Sequence, residues 1–247
     1  MLGKLIVDLF RGAARGKPLD AAETTGAYWS NPLAEYFYNN PGRKIDKWDH
    51  YFEIYHRHLA GFRGRSPVVL EIGVWKGGSL PMWHHYFGPG THVIGIDFEP
   101  QAAQFRDAAT EILIGDQADR NFLASVRERV PHIDVLIDDG GHQMTQQIVT
   151  FEELYPHIQP NGIYICEDVH TSLWAGYGGG YRLEGTFLEY GKALVDHLYA
   201  WHSRDPEVLA VDNITTSTHS IHFYDSVLVL EKRPMERPRN LQSESLG

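Results

Sequence analysis

The chain has 247 residues, 43% of them hydrophobic and 12% aromatic, which supports a sizeable core and excludes wholesale disorder. Lys and Arg total 22 against 32 Asp and Glu, a formal charge of −10, and this argues against a general nucleic-acid binder, which needs a basic face to displace phosphate counterions. The single cysteine, Cys166, excludes an internal disulfide and a multi-cysteine zinc site. No apolar run reaches the roughly 20 residues needed to span a bilayer. Lys4, Asp8 and Arg11 interrupt what would be the apolar core of a secretory leader. The expectation is an acidic, soluble, cytoplasmic protein without integral membrane contact.

Leu2, Leu5, Ile6, Leu9 and Phe10 fall at helical spacing opposite Lys4, Asp8, Arg11 and Arg15. They predict an amphipathic helix that packs on its own body or on a second copy in a homo-oligomer, with attachment to a membrane surface as the alternative. Residues 48–60 predict a second helix with Trp48, Tyr51, Phe52, Tyr55 and Leu59 on one side. These pieces make residues 1–65 an N-terminal helical segment. From residue 66 strands and helices alternate. Strands are predicted at 67–72, 92–96, 111–114, 132–137 and 163–166, with helices at 79–87, 101–109, 119–129 and 143–155. That alternation predicts an α/β protein with a mostly parallel sheet and right-handed crossovers. Residues 218–224 and 227–232 flank Asp225-Ser226 and predict an antiparallel C-terminal hairpin. The main domain is thus placed at 66–232 and a flexible Pro-, Arg- and Ser-rich tail at 233–247.

In open α/β sheets ligands bind outside the carboxyl ends of the strands, and here those ends are rich in acids. Glu71-Ile72-Gly73-Val74-Trp75-Lys76-Gly77-Gly78-Ser79 is a Gly-rich turn that leads into a helix. The dinucleotide signature G-x-G-x-x-G is absent, because Gly73 and Gly77 are four apart. This disfavours a nicotinamide dehydrogenase, and the wider turn suits the ammonium and carboxylate of S-adenosylmethionine. Asp97, at the end of the second strand, is placed to accept from a ribose hydroxyl pair. Asp116 and Gln117, at the end of the third, can meet an adenine. Asp138-Asp139-Gly140-Gly141-His142 and Glu167-Asp168-Val169-His170 end the next two strands. Clustered carboxylates suit Mg2+, and a histidine beside them can remove a proton from a metal-bound hydroxyl. Side chains alternate along a strand, so Glu167 and Asp168 can both face the site only if the chain has left the sheet by Asp168. The loop 171–187 carries Trp174, Tyr177, three glycines and Tyr181, the makings of a mobile lid that stacks on a flat acceptor.

These blocks resemble the metal-dependent class I S-adenosylmethionine sugar O-methyltransferases, as in the mycinamicin deoxysugar type. The matching segments are Asp46-Lys47-Trp48 through Tyr55, Leu70 to Val74, Gly77 to Trp83, Gly95-Ile96-Asp97, Gly115 to Asp119, Ile137 to His142, Cys166-Glu167-Asp168 and Ser220 to Ser226. The resemblance implies a Rossmann-like methyltransferase fold and a sugar or oligosaccharide acceptor. It implies that Asp139, Glu167 and Asp168 bind Mg2+ and that His142 is the general base. It also implies that Glu71, Gly73, Ser79, Asp97, Asp116 and Gln117 line the S-adenosylmethionine site. The chain is shorter than the macrolide enzyme type and its glycine loop is tighter. In size and kind it is also similar to the compact O-methyltransferases of mycobacterial methylmannose oligosaccharides.

Two other readings stay open on the sequence. His142, His170 and a carboxylate could imitate the two-histidine, one-carboxylate iron site of an oxygenase. A noncatalytic binding protein could retain the nucleotide fold.

Overall fold

The computed structural model describes residues 31–243, so the amphipathic helix expected at residues 2–10 lies outside the described residues. Helix α1 (Pro32–Tyr38) starts at Asn31, whose side chain accepts from the Leu33 and Ala34 amides, with Pro32 in the first turn. Helix α2 (Tyr51–Leu59) follows; the expected start at Trp48 is three residues early, because residues 43–47 run across the glycine turn described below. Then come β1 (Val68–Ile72), α3 (Ser79–Phe87), β2 (His92–Asp97), β3 (Thr110–Ile114), α4 (Arg120–Arg129), β4 (Ile133–Asp138), α5 (Met144–Leu154) and β5 (Ile158–Cys166). Helices α6 (Phe187–Leu198) and α7 (Asn213–Ser217) precede the hairpin β6 (Thr218–Phe223) and β7 (Leu228–Lys232).

The seven strands form one sheet in the order β3-β2-β1-β4-β5-β7-β6. The first five are parallel, and β7 runs antiparallel to both β5 and β6. This is the α/β sheet expected, with the hairpin wedged at its edge. Alternation along the strands sorts the core into two layers. Val69, Val93, Val135, Ile137, Ile163 and Ile165 face α1, α2 and α3. Leu70, Ile94, Ile96, Leu136, Tyr164 and Cys166 face α4, α5 and α6. Among the described residues of the N-terminal segment, Leu33, Tyr51, Phe52, Tyr55 and Leu59 are part of the first layer.

Two expected elements differ. The helix expected at 101–109 is a 3-10 turn, Pro100–Phe105. It stops because Arg106 turns extended and donates to the Ile112 carbonyl of β3. The loop after β5 winds into 3-10 turns at Val169–Leu173 and Ala175–Tyr177. It is tied by the Gly180 amide to the Ser172 carbonyl and by the Leu188 amide to the Ser172 hydroxyl. After Lys232 the described chain has no regular secondary structure.

Candidate active site at the carboxyl edge of the sheet

The strand ends are laced together by backbone hydrogen bonds. The Gly73 amide donates to the Ile96 carbonyl, Asp139 to Ile72, Glu167 to Asp138 and Gly115 to Asp97, at 2.8–3.0 Å. Gly73 has φ +94°, and a β carbon there would lie 1.9 Å from the Asp139 carbonyl oxygen, so only glycine fits. Asp97 holds the glycine turn: one carboxylate oxygen accepts from the Val74 and Trp75 amides at 2.9 and 2.8 Å, and the other from the Glu99 amide.

The other residues expected at the cofactor differ in how they are used. Glu71 is fully buried and accepts from the Ser79 hydroxyl at 2.7 Å and the Trp83 indole at 2.9 Å. Burial pushes its carboxyl up to about 7, against the pull of the nearby Lys47 charge and of those two donors. Ser79 therefore starts α3 with its hydroxyl turned onto Glu71. Asp116 closes a local turn by accepting from the Ala118 amide. Gln117 is buried and donates to Asp138 and Thr150, while its carbonyl accepts from the Gly141 amide at 2.9 Å. It thereby sets the Gly140-Gly141 turn, and a β carbon on Gly140 would collide with it. Asp138 points inward, and burial raises its carboxyl to about 6.

Beyond that turn the chemistry-bearing groups converge. Strand β5 ends at Cys166, and Asp168 is left-handed with φ +52°, so Glu167 and Asp168 have both escaped the strand's alternation. His142 is also left-handed, φ +57°, and its carbonyl accepts from the Thr171 hydroxyl. His142 Nε2 lies 3.4 Å from Asp168 Oδ2 and 3.8 Å from Asp139 Oδ1. Ligand atoms of Asp139, His142 and Asp168 all lie within 4.8 Å of one another. The hard oxygens of Asp139 and Asp168 suit a small divalent ion, and the buried His142 Nδ1 has no protein partner. This group contains one imidazole, so the second histidine of an oxygenase-type set is not among its members. The His170 ring instead packs edge-on against Trp48 and Trp174, at 5.9 and 4.7 Å between centroids.

Glu167 is 1% exposed and faces a lysine that sequence reasoning gave no role. Lys47 donates to both Glu167 oxygens at 3.0 and 2.8 Å and forms a close ion pair with Asp139. Tyr55 donates to Glu167, and Tyr51 donates to Asp168 Oδ1 at 2.6 Å. Burial drives the Glu167 carboxyl well up and raises that of Asp139, with Lys47 opposing in both cases. Burial also acts to raise Asp168, but the charge of His142 and the Tyr51 hydroxyl outweigh it and hold that carboxyl below its usual range. The available signal was a pair of tyrosines four apart on one helix face, where phenylalanine or leucine would pack as well.

The family described as "Methyltransferase domain" matches residues 70–169. The 8-demethyl-8-alpha-L-rhamnosyl tetracenomycin-C 2'-O-methyltransferase of Streptomyces olivaceus is 34% identical over 200 residues, 76% of this chain and 52% of that protein. The mycinamicin VI 2''-O-methyltransferase of Micromonospora griseorubida is 31% identical over 188 residues, 72% of this chain and 47% of that protein. A solved structure of the MycE methyltransferase from the mycinamycin biosynthetic pathway, in complex with Mg and SAH, matches with a TM-score of 0.73 at 30% identity. That match covers 82% of this chain and 54% of the MycE chain. The chain spans about half the length of these relatives. With its sheet order, its matched domain and these relatives, the chain has the Rossmann-like class I methyltransferase fold and is similar over most of its own length to sugar O-methyltransferases.

Proposed function

We propose that the protein is an S-adenosylmethionine- and Mg2+-dependent O-methyltransferase acting on a sugar hydroxyl. The observation that carries this reading is the convergence of Asp139, His142 and Asp168 beside the glycine turn held by Asp97. S-adenosylmethionine would bind at that turn, with Gly73 allowing close approach and Asp97, Asp116 and Gln117 lining the adenosine side. Asp139, Glu167 and Asp168 would hold the ion, whose bound charge lowers a hydroxyl pKa and stabilises a developing alkoxide. His142 Nε2 then takes the acceptor's proton, and its left-handed backbone and the Thr171 hydroxyl fix the ring's approach. Trp48, His170 and Trp174 form an aromatic ledge beside Asp168 on which a sugar ring can rest. Orientation of hydroxyl and methyl donor supplies much of the acceleration. The relatives named above act on rhamnosyl and mycinamicin acceptors, and the proposed acceptor is accordingly a deoxysugar of macrolide type, with a methylmannose oligosaccharide as the second sugar class to screen.

Calorimetry with S-adenosylhomocysteine, with NAD as control, tests the cofactor without an acceptor. One-site binding of the first alone is expected. Label transfer from S-adenosylmethionine to each sugar class, with Mg2+ or with chelator, tests the reaction. His142→Ala should lower turnover by roughly 10²–10⁴-fold and leave S-adenosylhomocysteine affinity within about threefold. Folded protein that does not bind S-adenosylhomocysteine would refute the proposal.

A further inference from the structure

Lys47 has no part in the chemistry above, yet its ammonium sits among the site's carboxylates with a side chain only 2% exposed. The chain leading to it is pinned. Gly78 leaves no space for a β carbon, which would lie 2.2 Å from the Lys44 carbonyl oxygen, and the Arg43 guanidinium reaches the Gly77 carbonyl. Four residues after Lys47, α2 begins and turns Tyr51 and Tyr55 onto Asp168 and Glu167. One short stretch, residues 47–55, therefore reaches all three carboxylates expected to bind the ion.

Buried carboxylates at this spacing repel one another and need a countercharge. Lys47 supplies one, and it does so through Asp139 Oδ2 and both oxygens of Glu167. A divalent ion held by Asp139 and Glu167 would meet an ammonium already seated on both oxygens of Glu167 and on one of Asp139. We propose that Lys47 is an internal counter-cation that competes with the divalent ion for Asp139 and Glu167, gathering the carboxylates beforehand and setting how tightly the ion is held. This rests on the reading of Asp139, Glu167 and Asp168 as the Mg2+ site. Lys47 is thus a positioning residue that acts through the carboxylates.

Lys47→Met keeps the apolar stem and removes the charge. Calorimetric titration with Mg2+ should then show affinity raised by roughly tenfold or more over wild type, and saturating Mg2+ should raise the melting temperature more in the variant than in wild type. A second measurement needs no variant. In wild-type protein, reductive methylation read by mass spectrometry should label Lys47 at least about threefold faster with saturating Mg2+, because the ion displaces the ammonium from its partners. Unchanged labelling, or equal or weaker Mg2+ affinity in Lys47→Met, would overturn the inference while leaving the Mg2+ site intact. Failure of wild type and variant alike to bind Mg2+ would instead remove the site reading on which it rests.

Discussion

Glu71 and Asp97 lie near the carboxyl ends of adjacent strands and look alike in sequence, yet their surroundings divide their work. Glu71 is sealed under α3 and spends its oxygens on Ser79 and Trp83, whereas Asp97 is half-buried and organises the amides of the glycine turn. Glu71→Gln keeps an acceptor for at least one of its two donors, so S-adenosylhomocysteine affinity should stay within about threefold of wild type. Asp97→Ala frees two turn amides and should weaken that affinity by roughly tenfold or more. Calorimetry on both variants checks the contrast, and equal losses would make Glu71 a direct contributor to cofactor binding. The acids themselves were legible because each closes an apolar run. Which of them face a ligand was not, since that depends on partners such as Trp83, twelve residues away on the next helix.

Helix α2 serves two neighbours at once. Tyr51 and Tyr55 point to the carboxylates, and His58, one turn further on, bonds Glu231 of β7 and the Tyr224 hydroxyl, both at 2.8 Å. His222 of β6 packs against the His58 ring. The helix that positions the tyrosines is therefore fastened to the C-terminal hairpin. Burial lowers the His58 pKa below its usual value, with Glu231 opposing. Between pH 7.5 and 5.5 the unfolded chain then gains a proton that folded His58 resists, so stability falls with acidification. Burial works against ionised Glu231, but its bond to His58 holds its carboxyl below the usual range, so its contribution is lost at lower pH, outside this window. From pH 7.5 to 5.5 the melting temperature of wild type should fall relative to that of His58→Gln, a difference that isolates His58 from the raised carboxyls of Glu71 and Asp138, which take up protons in the folded state in the same window and act the other way, and parallel profiles would count against the assignment. Some slope should persist, because burial also lowers His56 and His84. The link is invisible in sequence, since 173 positions separate His58 from Glu231. Helix α6 was missed for a related reason. Gly191 breaks its pattern, yet a β carbon there would meet Leu228 of β7 at 2.8 Å, so packing demands the residue that propensity disfavours.

At the scale of the molecule, the parallel sheet was readable because strands buried on both faces leave continuous apolar runs, and the hairpin because two such runs flank a short polar turn. The charge network that joins residues 47–55 to strands β4 and β5 had no such signature. Occupation of the cofactor site should stabilise the whole domain: S-adenosylhomocysteine at a hundredfold its dissociation constant contributes about 2.7 kcal/mol, or about 5–11 °C in melting temperature for a chain of this size. Thermal melts across a ligand series check this, and a flat series would argue against specific binding. Gly73 carries a further consequence. Its missing side chain is what lets the glycine turn lie on the Asp139 carbonyl, so on the proposed reading the methyl donor's chamber and the ion's meet at a single backbone contact. Neither chamber can be reshaped at this point without disturbing the other, and the two must be inherited as a unit. Divergence toward new sugars is left to the aromatic ledge and the 171–187 loop, where side chains can change without touching that contact.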